Sequence, residues 1–308
     1  MRVGGLQRLQ RGQRRVELLL LEPLSAQTAD ATRWRVMYRT SKPLRPQSSL
    51  RVLDRQGEPI PGQTLIVSSV EGEGRAVIDF PTDVPLGPLL DQAGELPLPP
   101  YIVKQRQHSG LPAQPDDQER YQTVYARAEG SVAAPTAGLH LDREQLARLD
   151  VVELLLHVGP GTFLPMDVAD VSLHRVGAER VTLTPAAAER IAAARAAGRP
   201  IVAVGTTTTR ALEGIAARHD GRLLPTDDAT SLVITPGFRF RVVTHLLTNF
   251  HLPRSSLLML VCALAGRSRV LSWYREAVQE GYRFYSYGDC MLVGREPREP
   301  RAAPNEDP

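Results

Sequence analysis

Ile201-Val202-Ala203-Val204-Gly205-Thr206-Thr207-Thr208-Thr209-Arg210 is the stretch whose reading decides the fold. Its apolar, largely β-branched start predicts a short buried strand. Gly205 breaks that strand, and the hydroxyl run opens a helix over residues 207–218. Strand, turn and helix in this order are the unit of an α/β layer. Outward from it the same rhythm continues. Residues 151–157 (Val-Val-Glu-Leu-Leu-Leu-His) form a nearly continuous apolar run, the pattern of a strand covered on both faces. Asp142 can cap a short helix through Leu149. Thr184-Pro185 places a capping hydroxyl and a first-turn proline at a helix start, and Gly198 marks its end. Ser268 can cap a further helix through Glu280, with Gly281 beyond it.

The first hundred residues read differently. Residues 16–21, 33–38, 49–53, 64–67 and 75–80 are short segments of β character separated by turns such as Asp54-Arg55-Gln56-Gly57 and Glu71-Gly72-Glu73-Gly74. This spacing predicts a small antiparallel β-barrel. Leu96-Pro97-Leu98-Pro99-Pro100 stops regular structure, and the polar residues after it read as a loop. The expected organisation is a barrel-like domain over 1–104, a linker over 105–119, an α/β layered core over 120–294 and a disordered tail over 295–308.

Composition bounds the function. The chain has 308 residues, with 42% apolar and 23% charged, a globular balance. Lys+Arg 37 against Asp+Glu 34 gives +3, so any nucleic-acid binding must come from local patches. Lys42 and Lys104 are the only lysines, and the remaining basic charge is arginine. Arg8, Arg11, Arg14 and Arg15 cluster near the N-terminus, and Arg33, Arg35, Arg39 and Arg45 fall on or beside barrel strands. A solvated basic face and a phosphate-contacting one both fit that pattern; phosphate contact implies affinity falling linearly with log salt. Cys262 and Cys290 form no CxxC pair, so neither a disulfide framework nor a cysteine-rich zinc site is expected. The longest apolar run, residues 257–265, is too short to cross a bilayer. No membrane association is expected, and the location expected is cytoplasmic. No His-x-x-x-His pair occurs among the seven histidines, so no metal is expected. Gly-x-Ser-x-Gly is absent, which excludes the usual α/β-hydrolase elbow. No lysine follows Gly205 as a phosphate-binding loop requires, and Gly159-Pro160-Gly161 lacks the helix of a dinucleotide fingerprint.

Several segments carry polar groups suited to chemistry. Pro135-Thr136-Ala137-Gly138-Leu139-His140 offers a hydroxyl and an imidazole among small residues, as a ligand site or as a tight surface turn. His157 stands at a predicted strand end, where ligands of open α/β sheets bind. The start of the 207–218 helix can hold a carboxylate or hydroxyls, or be no more than a capped helix start. Thr248-Asn249-Phe250-His251 and Tyr285-Ser286-Tyr287-Gly288-Asp289 are polar knots between apolar stretches. Asn249, His251 and Asp289 can face one cleft or serve structural roles; the sequence does not choose.

In order, the chain resembles one family. The matching text is Leu96-Pro97-Leu98-Pro99-Pro100-Tyr101-Ile102, Arg120-Tyr121-Gln122-Thr123-Val124-Tyr125-Ala126, Val132-Ala133-Ala134-Pro135-Thr136-Ala137-Gly138-Leu139-His140 and His157-Val158-Gly159-Pro160-Gly161-Thr162-Phe163. Val204-Gly205-Thr206-Thr207, Pro236-Gly237-Phe238, Leu247-Thr248-Asn249-Phe250-His251-Leu252-Pro253 and Tyr282-Arg283-Phe284-Tyr285-Ser286-Tyr287-Gly288-Asp289 complete it. The set resembles the S-adenosylmethionine:tRNA ribosyltransferase-isomerases of queuosine biosynthesis. The resemblance implies an α/β core with an inserted β-barrel. It implies transfer of the ribosyl part of S-adenosylmethionine to 7-aminomethyl-7-deazaguanine at the tRNA wobble position, giving epoxyqueuosine-tRNA, adenine and methionine. S-adenosylmethionine is then a co-substrate, with no permanently bound cofactor, and tRNA the macromolecular partner of a monomer. His140, His157, His251 and Asp289 become candidates for acid–base work, His140 and His157 foremost. Arg120, Tyr121, Gln122, Thr123, Pro135, Thr136, Gly138, Gly159, Gly161, Thr162, Thr206, Thr207 and Asn249 become candidate substrate-binding residues.

The chain departs from the family pattern in places. Family members carry, ahead of the barrel, Ser-Arg-Leu-Leu-Val and Asn-Asp-Thr-Arg-Val runs that this sequence lacks, so the chain is expected to start just inside the barrel near Arg2-Val3-Gly4-Gly5. Gly177 stands where a second histidine usually follows His174, Pro160 where alanine is usual, and Thr206-Thr207-Thr208-Thr209 where Thr-Thr-Ser-Val is usual. A degenerate homologue that keeps the fold and RNA binding without catalysis is the competing reading. An unrelated nucleotide-binding α/β enzyme is the third, opposed by the missing dinucleotide and phosphate-loop patterns.

Overall fold

Apolar side chains at every second position build the first sheet. The computed structural model describes residues 2–3, 6–11, 14–24, 32–72, 74–81, 85–99, 102, 117–127, 129–131, 133–159 and 177–295. After the short strand β1 (Arg2–Val3) come β2 (Leu6–Arg11), β3 (Arg14–Pro23), β4 (Arg33–Arg39), β5 (Ser49–Leu53), β6 (Pro59–Gly72) and β7 (Arg75–Asp79). Val16, Leu18 and Leu20 of β3, Leu50 and Val52 of β5, and Leu65 and Val67 of β6 are buried, as strand periodicity requires. Helix α1 (Leu86–Ala93) adds Leu86, Leu89 and Ala93 to the same core, and β8 (Gly94–Glu95) follows it. The sheet runs β3-β4-β7-β6-β5-β2-β8 and curls so far that β2 also pairs with β3. Arg2–Val3 lies outside this sheet and pairs in parallel with β9 (Glu129–Ser131).

Two arginines of the curled sheet, Arg33 and Arg35, are matched by carboxylates. Arg33 donates to Asp79, its cross-strand neighbour, at 2.5 and 3.0 Å. Arg35 bonds both Glu71 and Glu22. Such exposed pairs add little stability but offset the charge of these two guanidiniums.

The second core is mixed α/β. A helical turn, α2 (Asp117–Arg120), precedes β9, and a 3-10 helix (Thr136–His140) follows it. Helix α3 (Arg143–Ala147) starts at Asp142, whose carboxylate accepts from Gln145 N while the Gln145 side chain reaches back, a capping box. Then come β10 (Leu155–His157), β11 (Glu179–Leu183), α4 (Pro185–Ala196), β12 (Val202–Val204), α5 (Thr206–Arg218), β13 (Thr226–Thr230) and β14 (His245–Asn249). Helices α6 (Ser256–Ala265) and α7 (Arg267–Gln279), bent by 115° at their junction, and β15 (Cys290–Gly294) end the chain's described part. Two three-stranded sheets result: β10-β11-β13, antiparallel, and β12-β14-β15, with a parallel and an antiparallel pair. Among the described residues no single helix is long and apolar enough to cross a membrane.

Three local expectations change. The apolar run at 151–157 is a strand only over Leu155–His157, pairs antiparallel, and leaves Val151 exposed; apolarity marked burial of part of the run, not its conformation. Helix α7 starts at Arg267, with Gly266 rather than Ser268 at its N-cap. The expected linker ends in the α2 turn, while residues 105–116, like the tail from 296, lie outside the described residues.

Helix α5 is buried from Thr209 through Ala216 and includes Arg210 and Glu213. Glu213 is fully buried and accepts backbone N–H bonds from Arg241, Val242 and Val243 at 2.8, 2.9 and 2.8 Å. Three donors offset the desolvation of one carboxylate. Arg210 Nη1 lies 2.9 Å from Glu179 Oε2 on β11, and its Nε donates to Leu232 O. Removing the Glu213 carboxylate leaves three backbone N–H donors without their acceptor. We therefore expect Glu213→Ala to cost about 3–5 kcal/mol in denaturant unfolding, at roughly 1–3 kcal/mol for each unsatisfied donor. A loss below about 1 kcal/mol would show that the cradle is dispensable.

Candidate active site

The strand–turn–helix of residues 201–218 places the site. Gly205 sits at φ +90°, a backbone state that side chains disfavour, and its N–H donates to Leu247 O on β14. Its Cα face looks at Ala137: a Cβ built there would lie 3.8 Å from that methyl group. The start of α5, the 3-10 helix and the end of β14 therefore converge. Thr206 is buried in this turn and Thr207 half-buried beside it.

Asn249, the last residue of β14, bridges the convergence. Thr136 Oγ1 donates to its Oδ1 at 3.1 Å. Its Nδ2 meets His140 Nε2 at 2.9 Å and reaches Ser286 O at 3.5 Å. With Nδ2 as donor, the imidazole accepts at Nε2 and carries its proton on Nδ1. Burial lowers the His140 pKa, and the field of Asp289 opposes that shift without cancelling it. His140 is thus a neutral imidazole at pH 7. Asp289 is held below the ordinary carboxylate range, first by the Arg283 backbone N–H at 2.7 Å and then by the Arg283 guanidinium at 3.3 Å. A neutral imidazole beside an ionised carboxylate can take or relay a proton.

His251 plays a different part. Its Nε2 lies 2.7 Å from Thr248 Oγ1, and its backbone N–H donates to Tyr274 Oη at 2.8 Å. Burial pushes the ring's pKa down to about 4 and that of Tyr274 up to about 12. Phe250, between Asn249 and His251, packs on Tyr274, Tyr282 and Phe284 with ring centroids 5.2–5.7 Å apart. This aromatic cluster fixes the strand end that presents Asn249.

The 120–125 segment backs the site. Tyr121 is fully buried and meets the Tyr287 ring edge-on at 5.8 Å. Tyr287 Oη donates to Asp117 at 3.3 Å. A Cβ on Gly138 would lie 1.9 Å from Tyr125 Oη and 3.0 Å from Thr123 Cγ2, so this glycine admits a neighbouring side chain. Thr123 is buried, Gln122 and Pro135 are half-buried, and Arg120 is exposed. The structure thus gathers Thr136, His140, Asn249, Ser286 and Asp289, with Tyr121 and Thr123 behind them. His157, at the end of β10, instead faces Arg180 in register and adds to the field on Asp227. Gly159 is half-buried after that strand, whereas Gly161 and Thr162 lie outside the described residues. Sequence reasoning missed Ser131 and Tyr274, and named Ser286 only within the polar run 285–289. Ser131 is buried, and its hydroxyl ties the β9 end to Val158 N and O at 2.9 and 3.2 Å; a serine at a strand end carries no signal of that contact.

Fold and site together define a mixed α/β protein with a curled antiparallel sheet and a histidine–asparagine–threonine cluster at a strand end. A family model described as queuosine biosynthesis protein matches residues 2–293. A curated relative named S-adenosylmethionine:tRNA ribosyltransferase-isomerase, from Anaeromyxobacter dehalogenans strain 2CP-C, is 48% identical over 288 residues, covering 91% of this chain and 78% of the relative. One of the same name from Synechococcus sp. strain RCC307 is 46% identical, covering 90% and 75%. A solved S-adenosylmethionine tRNA ribosyltransferase from Thermotoga maritima is 26% identical and covers 95% of this chain and 79% of that one, with a TM-score of 0.41. The chain belongs to the queuosine biosynthesis protein family.

The depressed His251 pKa has a signed consequence. The unfolded chain binds this proton near the ordinary value of 6.5, the folded chain only near 4. Stability is therefore full above the ordinary value and is lost as pH falls toward about 4, by about 3 kcal/mol. Denaturant unfolding of His251→Gln should lack most of this acid-side slope. An unchanged slope would place the titrating group elsewhere.

Proposed function

We propose that this chain is an S-adenosylmethionine:tRNA ribosyltransferase-isomerase, transferring the ribosyl moiety to 7-aminomethyl-7-deazaguanine at the tRNA wobble position. The observation that carries the reading is the family match across residues 2–293, supported by curated relatives of that name at 46–48% identity. The reaction needs a base for the ribose 5′ carbon beside the sulfonium, an acid near the departing adenine, and a neutral attacking amine. Epoxide closure then expels methionine. His140 fits the base or relay: it is neutral, and Asn249 fixes its ring. Ionised Asp289 suits the role of counter-ion to a sulfonium or to a protonated His140. Thr136 and Asn249 hold the site's shape, and His251 supports the strand end. His157 stands apart from this group in our assignment and is a candidate for the substrate's periphery.

The finer layout belongs to the same proposal: a barrel unit over 1–104 and a core over 120–294, acting as a monomer, with the site on the core.

The test is mass spectrometry of tRNA bearing the 7-aminomethyl base after incubation with the protein and S-adenosylmethionine. Epoxyqueuosine and free adenine are expected. His140→Ala should lower turnover by about 10²–10⁴-fold, the usual contribution of a placed acid–base group. Absence of product from folded wild-type protein would favour a degenerate homologue instead. Wild-type turnover in His140→Ala would remove that residue from the mechanism.

A further inference from the structure

A second concavity, of about 480 Å³, lies at the opposite end of β14 from Asn249. Four arginines line it, Arg195, Arg239, Arg241 and Arg295, with Asp220 the one carboxylate among its lining residues. Three of the guanidiniums, those of Arg195, Arg241 and Arg295, donate to carbonyls. Arg195 donates to Gly221 O at 2.8 Å and to Arg241 O at 2.7 Å. Arg241 donates to Ala216 O at 3.3 Å, and Arg295 to Val243 O at 2.6 Å. Arg295 also lies 5.8 Å from the Phe240 ring centroid. A carbonyl orients a guanidinium without neutralising it, and each fork keeps further N–H donors. Among the described residues no carboxylate pairs with Arg195, Arg239 or Arg241. The curled sheet differs: there Arg33 and Arg35 are matched by Asp79, Glu71 and Glu22.

We infer that this four-arginine concavity binds the phosphodiester backbone of the tRNA substrate. The inference rests on the function proposed above and adds the surface that holds the RNA. Forks held by carbonyls, as at Arg195 and Arg241, suit bidentate phosphate contact. The polar setting offers no large apolar wall for a nucleobase or a lipid chain. Distance fits as well. Strand β14 runs from His245, at the concavity's end, to Asn249 in the site, roughly 13 Å along the strand. A polynucleotide with its wobble base at His140 therefore brings phosphates several nucleotides away onto the arginines.

Fluorescence anisotropy with tRNA bearing the 7-aminomethyl base, across a salt series, tests this. Arg239→Gln alters an exposed side chain that bonds no described residue, and Arg239→Gln/Arg241→Gln removes two forks. The double variant should bind about tenfold more weakly and reduce the salt slope by about two, one per lost phosphate contact. The single variant should lose about half of that slope change, and Arg33→Gln should bind as wild type. Thermal unfolding and calorimetric binding of S-adenosylmethionine should match wild type in the Arg239 variant. Wild-type affinity and slope in the folded double variant would overturn the inference, and so would an equal loss from Arg33→Gln. Salt-dependent tRNA binding that follows these arginines, without S-adenosylmethionine binding or epoxyqueuosine formation, would leave the RNA surface standing and overturn the enzymatic reading.

Discussion

The grip of one buried carboxylate on three consecutive backbone N–H groups organises the α/β core. Glu213 holds Arg241, Val242 and Val243, and the chain runs from that point directly into β14. A buried carboxyl group is tolerable only when its acceptors are filled, so the loop before β14 has little freedom. The same helix sends Arg210 to Glu179 and Leu232 O, which ties it to the antiparallel sheet. At Glu179 desolvation outweighs the pull of Arg210, so the carboxyl's pKa is raised despite the ion pair. Buried pairs of this kind contribute little net stability, while the loss of one member is severe. Their effect is to fix how α5 sits between two sheets.

That fixed position is transmitted to the chemistry. Gly205 begins α5 and bonds Leu247 O, so helix and strand share an origin. Two residues later in β14, Asn249 bonds Thr136 and His140, more than a hundred residues away in sequence. Each group has one satisfied role: Thr136 donates, Asn249 relays, His140 accepts. A chain of bonds polarised in one direction holds an imidazole in one tautomer better than a single contact does. Behind it the His251–Tyr274 bond and the Phe250 ring cluster stop the strand end from moving.

The sequence made some of this legible and hid the rest for identifiable reasons. Val16-x-Leu18-x-Leu20 and Leu50-x-Val52 alternate cleanly, and the strands stand where that pattern puts them. Strand β2 escaped notice because Leu6-Gln7-Arg8-Leu9-Gln10-Arg11 repeats every third residue, so pairing with β3 and β5, not periodicity, makes it a strand. Helix α1 was obscured by Pro88. In the site, His140, Asn249 and Asp289 were visible as residue types, but no local pattern encodes a contact between residues 140 and 249. Nor could the sequence separate His140, which ends a motif rich in small residues, from His157, which opens one; only the paired strands show His157 beside Arg180 and Asp227. Glu213 was invisible as well. A glutamate in a helix reads as solvent-facing until the loop that donates to it is known.

The arginine-rich, lysine-poor composition has a structural meaning beyond charge. Short strands joined by irregular segments leave many carbonyls without ladder partners, and those carbonyls need donors. Arg195 donates to two backbone carbonyls at once, while Arg55, Arg210, Arg218, Arg241 and Arg295 each donate to one. A lysine presents a strongly hydrated point charge and cannot reproduce a planar fork between two fixed carbonyls. The choice has an electrostatic by-product. A guanidinium satisfied by a carboxylate is charge-neutral to its surroundings, whereas one satisfied by carbonyls keeps its full charge. Arg33 and Arg35 of the curled sheet show the first arrangement, and Arg195 and Arg241 at the far end of β14 the second. A chain with a formal net charge of only +3 can in this way concentrate positive potential at one place without becoming basic overall.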